Sequence, residues 1–173
     1  MFFIRKQLKR GILLEPHTLG AKLEEQVRMQ LIEEVEGKCL GKFGYVIRLL
    51  GTDNIVPGFI ENDSGSVNVE VTYSCFMLRP FKNEVLDTIV FSAANEMGFW
   101  ARMGPLEIFV HKNAMPEDMK FDYAAGDAWV SDDGTIEIKD GSIVRLRIIG
   151  VSVDAGQMNA VGSIDDPYLG QLE

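Results

Sequence analysis

Residues 80–112, PFKNEVLDTIVFSAANEMGFWARMGPLEIFVHK, constrain the fold more than any other stretch. Val85, Ile89 and Phe91 lie in a strand-like run, Asn95–Gly98 supplies turn residues, and Phe99–Met103 resumes an extended run. Gly104-Pro105 then breaks the chain before Leu106–Val110. Short strands separated by glycine turns predict a small β-barrel rather than a helical or doubly wound domain. With 173 residues, the chain has room for one ordinary domain or two small ones.

The residues before this stretch read differently. Phe2–Leu14 predicts a long strand with Ile4, Leu8, Ile12 and Leu14 on one parity. Residues 21–36 predict a helix, because Leu23, Val27, Leu31 and Val35 recur every fourth residue and make one apolar stripe. Glu24 precedes Arg28 by one turn, and Gly37 is placed to end the helix. Glu33, Glu34 and Glu36 crowd its last turn against the helix dipole, which calls for a basic surface nearby. Three strands follow: one carrying Phe43, Tyr45, Ile47 and Leu49 on one parity, a short one at Ile55–Ile60, and one at Val67–Met77. Gly51–Asn54 and Glu61–Gly65 read as the turns between them. The first half is therefore expected to be an α+β sandwich, its helix on one sheet face. Phe43 and Tyr45 read as core aromatics in preference to stacking residues of an RNA-recognition sheet, since no basic glycine-aromatic run accompanies them.

After the barrel's opening, His111–Met115 reads as a short helical turn. Residues 116–134 read as a long acidic connection containing Trp129, and loops of this length tend to be functional or covered by a partner. Strands are expected at Thr135–Ile138, Ser142–Val153 and Gln157–Ile164, the last two joined by a hairpin at Asp154-Ala155-Gly156. On the Ser142 strand, Val144, Leu146 and Ile148 share one face and Arg145 and Arg147 the other. The two arginines read equally as phosphate contacts or as cross-strand partners of nearby acids.

Charge and chemistry narrow the function. Residues 1–79 are neutral, and residues 80–173 carry the whole net charge of −9. That distribution opposes tight, salt-driven binding of nucleic acid, so any RNA contact is expected to be weak and local or shared with a partner. No run is long and apolar enough to span a bilayer, and MFFIRKQLKR lacks the pattern of a signal peptide. Cys39 and Cys75 have no metal-ligand spacing and read as reduced core thiols of an intracellular protein. His17 reads as a loop histidine. No phosphate-binding loop, dinucleotide fingerprint or nucleophile elbow is present. The paired acids Asp132-Asp133 and Asp165-Asp166 read as solvated turn residues. The expectation is a non-catalytic protein without metal or cofactor.

The order strand, Gly-Phe-aromatic, glycine turn, apolar strand, Val-His in residues 85–111 resembles the opening of an S-one-type domain, a five-stranded OB barrel whose second and third strands face single-stranded RNA. Over its whole length the chain resembles the stalk-subunit family that comprises the seventh subunit of eukaryotic RNA polymerase II and its archaeal counterpart. The carriers are MFF at the start, HTLG before the helix, VEGKCLGKFGYVI (Val35–Ile47) and RPFKNEVLD (Arg79–Asp87). MGFWARMGPLEIFV (Met97–Val110), MPEDMKFD (Met115–Asp122), VRLRIIG (Val144–Gly150) and VGSIDDPYLG (Val161–Gly170) complete the set.

The resemblance implies an α+β tip domain with a truncated RNP-like sheet and one main helix (residues 1–79), then an all-β S-one-type OB barrel (residues 80–173). It implies a nuclear, non-catalytic polymerase subunit that pairs with the fourth subunit and docks on the polymerase core near the clamp. There it supports initiation and clamp closure, and its barrel contacts nascent single-stranded RNA. Leu19, Gly20, Pro57, Gly58, Ser64 and Gly65 are the expected docking residues of the tip. Trp100, His111, Lys112, Arg145 and Arg147 are the expected RNA contacts. Positions commonly aromatic, aromatic, His, Asp and basic in S-one-type barrels appear here as Met97, Trp100, His111, Asp154 and Met158, so an aromatic and a cation are missing. Strand alternation requires Phe99 and Trp100 to face opposite ways, with Trp100 expected outward. The alternative expectation is a free-standing RNA-binding regulator built on the same barrel.

Overall fold

The computed structural model describes residues 1–61, 65–93, 96–123, 126–154 and 156–172. The chain forms two compact units, Phe2–Arg79 and Pro80–Glu173, the latter together with Met1.

The first unit contains β1 (Phe2–Leu14), α1 (Leu23–Val35), β2 (Tyr45–Val56), β3 (Ile60–Glu61) and β4 (Ser66–Leu78). Its antiparallel sheet runs β1-β4-β2, with β3 also on β4. The stripe Val27, Leu31 and Val35 of α1 is buried against Ile12, Leu14, Val69, Val71 and Tyr73 of the sheet. The acidic last turn finds its partners inside this unit. Arg10 Nε lies 3.0 Å from Glu34, and Glu36 accepts the Leu49 N–H at 2.7 Å. Gly37 adopts φ +75° and directs its N–H to the Val46 carbonyl at 2.8 Å. Glu24 and Arg28 are exposed.

Bulges rewrite three sequence expectations. In β1 the pairing with β4 slips between Arg5 and Leu8, where Gln7 takes φ +60°. The extra residue exchanges the faces, so Phe3 packs on the core and Ile4 is exposed. In β2 the pairing slips between Val46 and Arg48, which buries Val46 and turns Ile47 out. Gly51–Asn54 is not a turn, because β2 runs through it with two further slips. Phe43 ends a short 3-10 turn and is partly buried, with the Arg5 guanidinium 4.2 Å from its ring centre. Cys75 is buried and free, and burial raises its thiol pKa.

The second unit contains β5 (Val85–Ser92), β6 (Gly98–Met103), β7 (Leu106–His111), β8 (Met119–Asp122), β9 (Ala128–Ser131), β10 (Glu137–Ile138), β11 (Ile143–Asp154), β12 (Gln157–Ser163) and β13 (Gly170–Gln171). The order β12-β7-β6-β5-β11 closes through β11–β12 pairing into a five-stranded barrel, and β13 adds to β11. The β7–β12 pair is parallel; the other barrel pairs are antiparallel. Leu86, Val90, Phe99, Ile108, Leu146 and Met158 are among the side chains filling the interior. Buried Thr88 donates its hydroxyl to the Val144 carbonyl at 2.9 Å, so it leaves no polar group unpaired. Val85, Ile89 and Phe91 alternate with the buried residues of β5 and face outward.

Residues 116–134 are not an unstructured connection. They hold β8 and β9, which with β10 form a small sheet. Trp129 is its buried centre, with Phe121 edge-on at 5.5 Å. The acidic composition hid a short alternation in which Met119 and Phe121 turn toward one side and Lys120 and Asp122 toward water.

Candidate nucleic-acid interface

Strand alternation sets the outward row of the barrel. Phe99 is fully buried, whereas its neighbour Trp100 is half-exposed. On β7, Leu106, Ile108 and Val110 point inward, leaving Phe109 and His111 on the outer face. Trp100 pairs directly with Phe109 across β6–β7, and their rings lie 4.8 Å apart at 46°. His111 meets the edge of Phe109 at 6.3 Å. Three aromatic rings thus form one row, a surface on which unpaired bases can stack. Phe109, the middle ring, is not among the residues expected from sequence. The apolar alternation of Leu106, Ile108 and Val110 was the signal that could have exposed it.

The row is fixed at its end by backbone contacts. His111 caps a 3-10 turn at Lys112–Ala114, its Nδ1 accepting the Asn113 N–H at 3.1 Å. This bond leaves Nε2 as the nitrogen able to donate outward. Lys112 is exposed at the end of the row, and its N–H donates to the Met97 carbonyl at 2.9 Å. Met97 and Asp154 are exposed. Met158 is buried in the barrel, so that position is a core site rather than a surface position lacking a cation.

The two β11 arginines lie on the outer face but are already partnered. Arg145 grips Asp87 with two hydrogen bonds, 2.7 and 3.0 Å, and Arg147 lies 2.9 Å from Asp166. Arg145 thus takes a cross-strand partner on β5, and Arg147 takes an acid from the loop between β12 and β13. A phosphate at either arginine would compete with a carboxylate. The Arg145 hydrogen bonds hold the Asp87 carboxyl below its ordinary pKa. A lowered folded value means that the pair adds stability above the unfolded aspartate pKa of about 3.9 and loses it as pH falls through the lowered value. Both groups are largely exposed, so this contribution is small. An NMR titration should place the Asp87 midpoint below that of an ordinary aspartate, and Arg145→Gln should return it. An unshifted Asp87 in the native chain would contradict the pairing.

In the first unit, the expected docking residues lie in three connections: Leu19 and Gly20 before α1, Pro57 and Gly58 between β2 and β3, and Gly65 before β4. Pro16–Thr18 forms a 3-10 turn leading into exposed Leu19 and Gly20. A Cβ added at Gly65 would lie 3.2 Å from the Pro16 ring, so the connection before α1 and the one before β4 meet there. Gly58 packs its backbone on the Asn68 carbonyl so closely that any Cβ would overlap it. The next residue, Phe59, is 91% exposed, with exposed Ile60 beside it. Phe59 is not among the expected docking residues, although a large apolar residue directly after Pro57-Gly58 was its signal. Ser64 lies outside the described residues, as do Asn95 and Ala155 of the expected barrel turns. His17 is exposed, 3.2 Å from Glu15.

Among the described residues, no three His, Cys, Asp or Glu side chains are placed to hold a metal ion, and no helix is long and apolar enough to cross a membrane.

Comparison with known proteins bears on both units. Residues 10–65 match the model of the SHS2 domain found in the N terminus of Rpb7p/Rpc25p/MJ0397, and residues 79–160 match the S1 RNA binding domain. The chain is 39% identical over 170 residues to DNA-directed RNA polymerase II subunit 7 of Arabidopsis thaliana, covering 98% of this chain and 96% of that protein. It is 38% identical over 174 residues to subunit rpb7 of Schizosaccharomyces pombe and 38% over 175 residues to RPB7 of Saccharomyces cerevisiae. Each of these alignments covers 99% of this chain and 100% of the relative. An SHS2 unit with one helix, a closed S1 barrel after it, and this likeness along the entire chain together show that the protein belongs to the family of RNA polymerase II subunit 7.

Proposed function

We propose that the chain is a non-catalytic stalk subunit of DNA-dependent RNA polymerase II in the nucleus. It pairs with the fourth subunit, docks its first unit onto the polymerase core near the clamp, and supports clamp closure and initiation. Its barrel contacts nascent single-stranded RNA weakly. The observation that carries this reading is the full-length likeness to polymerase II subunits in organisms as different as a plant and two yeasts. The surfaces fit the division of labour. Leu19, Gly20, Pro57, Gly58 and Gly65 make the docking end, and Phe59 is an apolar side chain ready for burial by a partner. Trp100 and His111, joined by Phe109 and bordered by Lys112, supply stacking rings and one cation to RNA.

Tagged chain purified from cells should bring down polymerase II core subunits and a fourth-subunit homologue. Recovery of the chain alone would overturn the docking role. For the barrel, Trp100→Ala should weaken binding of a single-stranded oligoribonucleotide about tenfold, as expected for loss of one base-stacking ring. Its melting temperature should barely change, because the ring lies outside the core. Unchanged RNA affinity would remove the barrel face from the reading.

A further inference from the structure

We infer that Arg102 and Phe91 form a second station for single-stranded RNA on the barrel, next to the row of Trp100, Phe109 and His111. This rests on the reading of that row as an RNA surface.

The distribution of cations points there first. Lys120, Lys139, Arg145 and Arg147 all sit in ion pairs with carboxylates. Of the other three in this unit, Lys82 lies in the turn that precedes β5. Arg102 and Lys112 form no ion pair with any described residue, and both border the aromatic row. The unit as a whole is acidic, so the places where positive charge stays available select where a phosphate can approach.

The orientation of Arg102 adds a second argument. Its register partner across β6–β7 is Glu107, yet it makes no ion pair with that carboxylate. Its guanidinium lies instead over the Phe91 ring, 5.8 Å from the centre, on the β5 side. A guanidinium drawn toward a ring face keeps its N–H groups free for a phosphate, and its fork can meet two phosphate oxygens where an ammonium cannot.

Backbone geometry supplies the third. Val90 pairs with Ala101 and Ser92 with Trp100, so Phe91 is the extra residue of a bulge with no partner on β6. Bulges re-aim side chains. Here the bulge keeps Phe91 on the outer face, 37% exposed, directly beside the Trp100 position. Phe91, Arg102, Trp100 and Phe109 then make a continuous path across β5, β6 and β7. A strand of RNA crossing it can stack one more base on Phe91 and place a phosphate at Arg102. Glu107 repels phosphate on the β7 side of Arg102, which directs the backbone toward β5.

The test uses the full chain and labelled oligouridylates of about four and about eight nucleotides, the size range of a single OB-fold site. Fluorescence anisotropy across a salt series should show Arg102→Gln weakening the longer oligomer about threefold and lowering the slope of log affinity on log salt by about 0.7, one phosphate contact. Phe91→Ala should weaken it about fivefold. The shorter oligomer, accommodated on the Trp100 row, should change less than about twofold in both variants. A duplex of the longer sequence should bind more weakly than the single strand, since its bases are closed to the rings. Both side chains are exposed, so thermal melts should match the native chain. If Trp100→Ala weakens binding while Arg102→Gln and Phe91→Ala leave affinity and slope unchanged, the second station is wrong and the row stands. If all three variants bind as the native chain does, the underlying reading of the barrel face fails as well.

Discussion

Phe99→Ala should lower the unfolding free energy of the barrel by about 3–5 kcal/mol, the usual range for removing a buried phenyl ring. Phe99 is fully buried and heads the large side chains of the interior, paired across β6–β7 with buried Val110. A closed barrel cannot slide its strands together to fill the void, because each strand is hydrogen-bonded on both sides. The cost should therefore fall at the upper end of the range. Both tryptophans of the chain, Trp100 and Trp129, lie in this unit, so urea unfolding followed by indole fluorescence reads the barrel without interference from the first unit. A loss below about 1 kcal/mol would mean that the ring is not enclosed. One residue along, Trp100→Ala should leave the same curve nearly in place.

Gly44→Ala should destabilise the first unit by about 3 kcal/mol through two separate penalties. The backbone there takes φ +100°, which an L side chain adopts only under strain. An added Cβ would also overlap the Leu78 carbonyl oxygen and stand 3.0 Å from the Arg79 Cβ. Neither obstacle is a flexible side-chain tip that could swing away. Gly44 joins the 3-10 turn at Gly41–Phe43 to β2, so the damage should appear at the start of β2 and the end of β4. Hydrogen exchange should show faster exchange of the amides around Tyr45–Val46 and Met77–Leu78, with the barrel amides unchanged. Native-like protection at those positions would show that the turn can relocate.

Much of the architecture is legible from residues alone, and the reason is periodicity. Val27, Leu31 and Val35 announce α1, and the alternation from Val67 to Met77 announces β4, because in each the buried face repeats without interruption. The errors cluster where an inserted residue breaks the period. Counting in twos places Ile4 and Ile47 inward, and one bulge in each strand moves them out. Gly51–Asn54 has the composition of a turn, while the hydrogen bonds that hold it in β2 come from β4, about twenty residues on. At the candidate site, Trp100 and His111 are visible through their surroundings. Phe91 and Arg102 are not, since what joins them to Phe109 is cross-strand register, and register is absent from a linear pattern. The partners of Arg145 and Arg147 are remote in the same way.

The barrel's parallel seam has a consequence for how the chain is made. β5, β6 and β7 follow one another closely in sequence and can pair as soon as they are synthesised, but the free edge of β7 pairs with β12, where Ile108 sits opposite Ala160. At a translation rate of about 5–20 residues per second, that edge waits a few seconds with its amides unpaired. Anything that slows the ribosome between these two strands lengthens the period in which the half-made barrel can pair with the wrong chain.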